Sequence, residues 1–285
     1  MKKKILLFFL ALALILLPAI SYAGQGSLFG GLVNKPAYNR SSVQTLFNAN
    51  NEIGLSFNSI GQYYTERIGD NETGRISGIN ISISSLGNLF TVPLVYEHLG
   101  FSNSFGNFNY TDSADSVNTT DNTQIFSASA RLGKAFVLTS RTLLIPYLSY
   151  GYRKWDRNIA STSTITGYQE IYSYNDLGLG LIANYAVTPK LVLKGRVQYA
   201  EMLSNSMIAN LLPDYPAMTF SLGNRPVYTL AVGLDYAVYG PVHLNAGIRY
   251  MKTFFGKSVI NEAGFYEPSS MTENFVYNVG LAYSF

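Results

Sequence analysis

Few residues in this chain are equipped for chemistry, and their spacing decides what they can do. There are two histidines, His98 and His243, and no cysteine. Without cysteine there is no thiolate nucleophile, no disulfide and no sulfur-ligated metal, and two histidines argue against a zinc site. His98 is followed by Leu99-Gly100 and His243 by Leu244-Asn245, so neither opens a His-x-Ser arrangement; no Asp stands two residues before either, and Asp112 and Asp115 are three apart. Glu97, Asp176 and Asp235 are the carboxylates whose surroundings could pair them for acid–base work, but basic residues stand near each, and ion pairing is the stronger expectation. No glycine loop of the phosphate-cradling kind occurs. The residues therefore predict no catalytic site, no cofactor and no metal.

The charges inside strand-like stretches are Glu97, Arg131, Arg153, Asp176, Lys194, Arg196, Asp235 and Arg249. Counted from the nearest tight turns, several fall at matching heights on neighbouring strands. The expected pairs are Glu97–Arg131, Arg153–Asp176, and Lys194 or Arg196 with Asp235, because a lone ion screened from water is costly. Such a network would fill a narrow lumen; the alternative is an ion-selective constriction.

The elements that must carry these residues are strands. From residue 51 onward, stretches of period-two alternation are separated by connections that alternate short and long. Ten strands are predicted, with a count of 8 to 12 compatible with the pattern: 52–67, 74–85, 90–102, 123–137, 142–155, 171–187, 191–203, 225–238, 242–255 and 272–285. Each exceeds the ~9–11 tilted residues that cross a bilayer. One parity is apolar, as in Leu177, Leu179, Leu181 and Tyr185, or Tyr228, Leu230, Val232, Leu234 and Tyr236. The other is small and polar, as in Asn80, Ser82 and Ser84, or Gly178, Gly180 and Asn184. Tyrosines at both strand ends, with Tyr172 counted among the outer ones, predict two aromatic girdles at the lipid–water boundaries. The connections 103–122, 156–170, 204–224 and 256–271 are read as outer loops, where specificity would reside. Met207, Ile208, Leu211 and Leu212 would form a short helix over the mouth or pack on the rim.

The final strand ends on its apolar face with Tyr283 and Phe285, which resembles the C-terminal assembly signal of Gram-negative outer-membrane β-barrel proteins. That resemblance implies an all-β, transmembrane up-and-down antiparallel barrel with short periplasmic turns. It also implies an outer-membrane location, contact with outer-membrane lipid and lipopolysaccharide, and handling by periplasmic chaperones and the barrel assembly machinery. In strand number the chain resembles the omptin proteases, but their Asp-x-Asp and Asp-x-His pairs do not occur here.

The N-terminus supports export. Three lysines, an apolar run over 5–17 and small residues at Ser21 and Ala23 predict a signal peptide, 1–23, cleaved after Ala23. The run is shorter than the ~20 residues of a spanning helix. Removing 1–23 leaves 17 basic and 17 acidic residues. A neutral chain argues against nucleic acid as a partner. Residues 24–50 lack alternation, with a short helix near 40–48, and are expected to be a loosely ordered periplasmic segment or a plug. Residues 51–285 form the barrel. The expected function is that of a non-enzymatic barrel with a side-chain-filled lumen, acting through surface loops or in envelope integrity; the alternatives are a narrow porin-like passive pore and, less favoured, an omptin-like surface protease.

Overall fold

The computed structural model describes residues 41–112, 117–212 and 215–285. The expected signal peptide and the first part of the 24–50 segment lie outside the described residues.

The alternation produces one antiparallel sheet closed on itself. Its long strands are β1 (Glu52–Glu66), β2 (Asp70–Leu89), β3 (Val92–Asp112), β4 (Val117–Lys134), β6 (Thr142–Ile159), β7 (Tyr168–Thr188), β8 (Leu191–Asn210), β10 (Pro226–Tyr239), β11 (Val242–Phe255) and β12 (Ser270–Ser284). Two short strands are added: β5 (Phe136–Thr139) continues the β4 wall against β6, and β9 (Met218–Ser221) pairs with β8. Closure comes from β1 and β12, in register from Glu52↔Ser284 to Glu66↔Ser270. Closing the sheet leaves no unpaired edge, the condition for a β-protein to span lipid. The ten-stranded up-and-down barrel is the expected fold.

Why the wall faces as it does follows from residue type. Leu55, Phe57, Ile81, Leu148, Leu179, Leu230, Val232, Val279 and Leu281 point outward and are exposed. Tyr185, Tyr236 and Tyr283 stand exposed toward one end of this apolar belt, and Tyr150, Tyr199 and Tyr228 toward the other. Past the outer tyrosines the outward face turns ionic, with Lys154–Asp156 at 2.9 Å and Lys252–Glu273 at 2.6 Å. Tyr172 does not belong to the girdle: it has the lumen parity of Asp176 and is fully buried.

Beyond the belt the hairpins continue as sheet. β2 and β3 stay paired to Asp70↔Asp112, and β7 and β8 to Gln169↔Asn210. Most of 103–122 and much of 204–224 are therefore strand, not loop. Both strand faces are polar over parts of these stretches because both meet water or a polar interior, which hides the alternation. Met207 is part of β8, and it packs inward with Phe220 and Leu222; the expected short helix is absent among the described residues.

Helix α1 (Ser41–Asn48) enters the periplasmic end of the barrel. Val43, Leu46 and Phe47 share one helical face and pack with Leu86, Tyr96, Leu143, Ile145, Tyr147 and Val192. Polar contacts pin it: Thr45 Oγ1 donates to the Pro189 carbonyl at 2.8 Å, and Ser284 Oγ to the Asn48 carbonyl at 3.1 Å. The Asn51 amide oxygen accepts from the Leu86 N–H at 2.8 Å. Residues 41–51 are held by these contacts, because the helix has an apolar stripe that the barrel end buries.

Candidate functional site

The lumen is built in three tiers, and the side chains from opposite walls decide what each can do. In the periplasmic tier, Lys194 on β8 donates to Glu52 at 3.2 Å, to Asp235 at 3.1 Å and to the Ala49 carbonyl at 2.6 Å. Asn245 donates to the other Glu52 oxygen at 3.2 Å. His243 Nδ1 lies 2.7 Å from Asp235 Oδ1, with both side chains buried. The Lys194–Asp235 pair matches expectation, and its register follows from Lys194↔Gly233 and Val192↔Asp235 on adjacent strands. Glu52, Asp235 and His243 bring ligand atoms within 4.8 Å of one another, a spacing that suits a cation. The Lys194 ammonium already contacts both carboxylates and supplies the positive charge there, so the donor set is that of a closed ion-pair network. His243 is part of this buried cluster.

The middle tier departs from expectation. Glu97 pairs in register with Leu132, and His98 with Arg131, so Glu97 faces outward while Arg131 faces the lumen. Glu97 accepts from the Ser85 hydroxyl at 2.8 Å on that outer face. The expected Glu97–Arg131 pair fails because counting from the turns assumed regular strands. Irregularities intervene near both turns: the β2–β3 register shifts between Gly87 and Leu89, and the β5–β6 register between Val137 and Thr139. One inserted residue moves a side chain to the other face. His98, too, lines the lumen, stacked with Tyr96 at 6.4 Å.

Arg153 and Asp176 both line the lumen, but they do not form an ion pair within 4.0 Å. Arg153 is opposite Tyr174, and Asp176 opposite Gly151. The Asp176 carboxylate lies over Gly151, where a Cβ would meet it at 2.6 Å. Arg153 instead crosses the lumen to donate to Asn274 Oδ1 at 3.0 Å. Arg196 and Arg249 flank Ala231 in one register row. With Arg131, which lies 5.9 Å from the Tyr147 ring centroid, they surround a cavity of about 280 Å³. This cavity adjoins a second of about 100 Å³ bordered by Arg153 and Asp176.

The outer tier carries the largest buried cluster, and the sequence reading did not single it out. Arg157 is 1% exposed, inside the extended part of the barrel and beyond the Lys154–Asp156 pair. It pairs with Glu72 at 3.1 Å and Glu170 at 2.5 Å. Its guanidinium lies 4.7 Å from the Tyr64 ring, 4.9 Å from Trp155, 5.7 Å from Tyr172 and 5.8 Å from Tyr110. Trp155 donates to Thr123 Oγ1 at 2.7 Å, and Tyr172 to Glu267 at 2.5 Å. Desolvated cation–π contacts of this kind are worth up to ~2 kcal/mol each. Burial, reinforced by the charges of Glu170 and Glu66, pushes the Glu267 carboxyl, in the loop after β11, up to about 9. The signal available in sequence was the parity of Trp155 and Arg157, continuing that of Arg153. Treating 156–170 as loop discarded it.

Thus α1 packs into one end of the barrel and the Arg157 cluster into the other, with the arginine-lined cavities between them. No family model and no curated protein matches the sequence. The fold matches solved outer-membrane β-barrels. The outer membrane protease OmpT from Escherichia coli aligns at 13% identity with a TM-score of 0.56, covering 83% of this chain and 97% of that one. The translocator domain of the autotransporter NalP from Neisseria meningitidis aligns at 12% identity over 82% and 89%, TM-score 0.42. The attachment invasion locus protein Ail of Yersinia pestis aligns at 8% over 82% and 98%, TM-score 0.32. The class is the outer-membrane β-barrel fold, and at these identities the likeness extends to fold alone.

Proposed function

We propose that this protein is a non-enzymatic integral outer-membrane barrel with a closed lumen, acting through its outer hairpins in surface contact or envelope integrity. The observation that carries this reading is the double seal: α1 packed into one end and the Arg157 cluster filling the other. A barrel of about this size is only slightly wider than the eight-stranded kind that side chains fill. The apolar belt bounded by tyrosines supports membrane residence, with lipid and lipopolysaccharide as its surroundings and the assembly machinery and chaperones as its route there. Sheet projecting past the belt offers a rigid surface for contact.

The central cavity favours a second reading, a narrow passive pore whose seals move aside. An omptin-like protease has less support, because the outer tier has no histidine among its described residues: His98 lies mid-lumen and His243 in the periplasmic tier. The test is swelling of liposomes containing the purified protein in isosmotic solutions of small sugars and amino acids. The closed-lumen reading expects the rate of protein-free liposomes; faster swelling that depends on solute size would support the pore.

A further inference from the structure

The middle tier holds more cations than acids. Four guanidiniums, Arg131, Arg153, Arg196 and Arg249, border the two adjoining cavities, and the acid that borders them with no ion pair of its own is Asp176. Glu52 reaches the same space but is held by Lys194 and Asn245. Among the described residues, Arg131, Arg196 and Arg249 make no hydrogen bond and no ion pair, and the Nε atoms of Arg196 and Arg249 are buried without an acceptor. Elsewhere among the described lumen residues the cations have partners: Lys194 two carboxylates and a carbonyl, Arg157 two carboxylates and four rings. Like charges in a space screened from bulk water repel strongly, and unfilled guanidinium donors carry a desolvation penalty.

We infer that this chamber binds a small oxyanion of the phosphate or sulfate class, held by Arg131, Arg196 and Arg249. Guanidinium forks present paired N–H donors whose geometry matches oxyanion oxygens bidentately, which a spherical halide cannot exploit. The rest of the lining adds hydroxyl and amide donors, Ser82, Ser129, Asn80 and Asn278 among them. The cavity of about 280 Å³ holds an ion of this size with some water. The inference does not depend on whether the lumen conducts: a bound anion would neutralise a closed chamber and would equally occupy a pore.

The test uses the full mature chain, refolded from urea into detergent micelles with and without labelled inorganic phosphate, so that the ion can enter before the seals form. Bound phosphate is counted after gel filtration, and affinity is measured by competition at constant ionic strength. One phosphate per barrel is expected, displaced by sulfate at similar concentration and by chloride only at concentrations at least tenfold higher. Arg196→Gln and Arg249→Gln should each weaken binding tenfold or more, and the exposed-turn control Lys190→Gln should leave it unchanged. Arg196→Lys keeps the charge and loses the fork; it guards against a Gln variant that does not fold, and weaker oxyanion binding with an undiminished folded yield supports the site. No phosphate on the folded wild-type barrel, full binding in the Arg196→Gln, Arg249→Gln double variant, or chloride competing on equal terms would each overturn the inference.

Discussion

Replacing Arg157 by methionine tests the outer seal where the structure concentrates its polar energy. The side chain is 1% exposed and joins Glu72 and Glu170 beneath four aromatic rings. Methionine fills much of the volume but leaves two buried carboxylates without their cation. Removing one partner of a buried ionic cluster costs about 3–5 kcal/mol, which is roughly a hundred- to a few-thousand-fold in the unfolding equilibrium. The assay is guanidinium chloride unfolding in micelles, followed by fluorescence of Trp155. It is the chain's single tryptophan and stacks on Tyr172 at 5.2 Å, so the probe sits inside the cluster. Adding Glu72→Gln and Glu170→Gln to Arg157→Met removes the stranded charges and should restore most of the loss. A loss under about 1 kcal/mol for Arg157→Met, within the range of an exposed pair, would contradict a buried network. So would a triple variant no more stable than the single one.

Three further outcomes follow from other parts of the barrel. Glu267 has a folded pKa raised from 4.5 to about 9, so its contribution is fully present below 4.5 and is lost as pH rises through about 9; Glu267→Gln should flatten that part of a stability–pH profile read by Trp155 fluorescence, and an unchanged slope would contradict it. Leu46→Ala empties the centre of the α1 contact with the barrel and should cost about 2–5 kcal/mol in the same unfolding assay, whereas an unaffected midpoint would mean the helix does not seal the end. Deleting Phe285, whose N–H donates to the Asn51 carbonyl at 3.0 Å, should lower the fraction of chain assembled into the outer membrane far more than any substitution in an outer turn, as measured by the compact band on unheated gels; normal assembly would remove the signal role.

What the sequence made legible is the part set by local alternation. The parity of Leu177 to Tyr185, of Tyr228 to Tyr236 and of Phe275 to Tyr283 is fixed by lipid on one side and a narrow polar interior on the other, so the barrel and its facing follow from residue order. Register is less local. The register shift between Val137 and Thr139 and the irregular β2–β3 turn, where Phe90 and Leu94 adopt positive φ, leave Glu97 and Arg131 on opposite faces. Contacts across the lumen are not local at all. Nothing near Arg153 in sequence points to Asn274, and nothing near Arg157 points to Glu72 on β2. The outer extensions were hidden because their outward face is largely polar, as at Asn103, Asn107, Asn109, Ser204 and Ser206, while Phe108 and Met207 pack inward, which reverses the parity of the belt. The plug was half visible: the helix was expected near 40–48, but only the barrel shows what its Val43, Leu46 and Phe47 stripe is for.

The proposal that the lumen is closed at both ends is tested by single-channel recording of the wild-type protein in a planar bilayer. The structure predicts no steady open steps, and predicts that they appear when residues 41–48 are deleted together with Arg157→Ala. Steady, ohmic steps from the unaltered protein would contradict it.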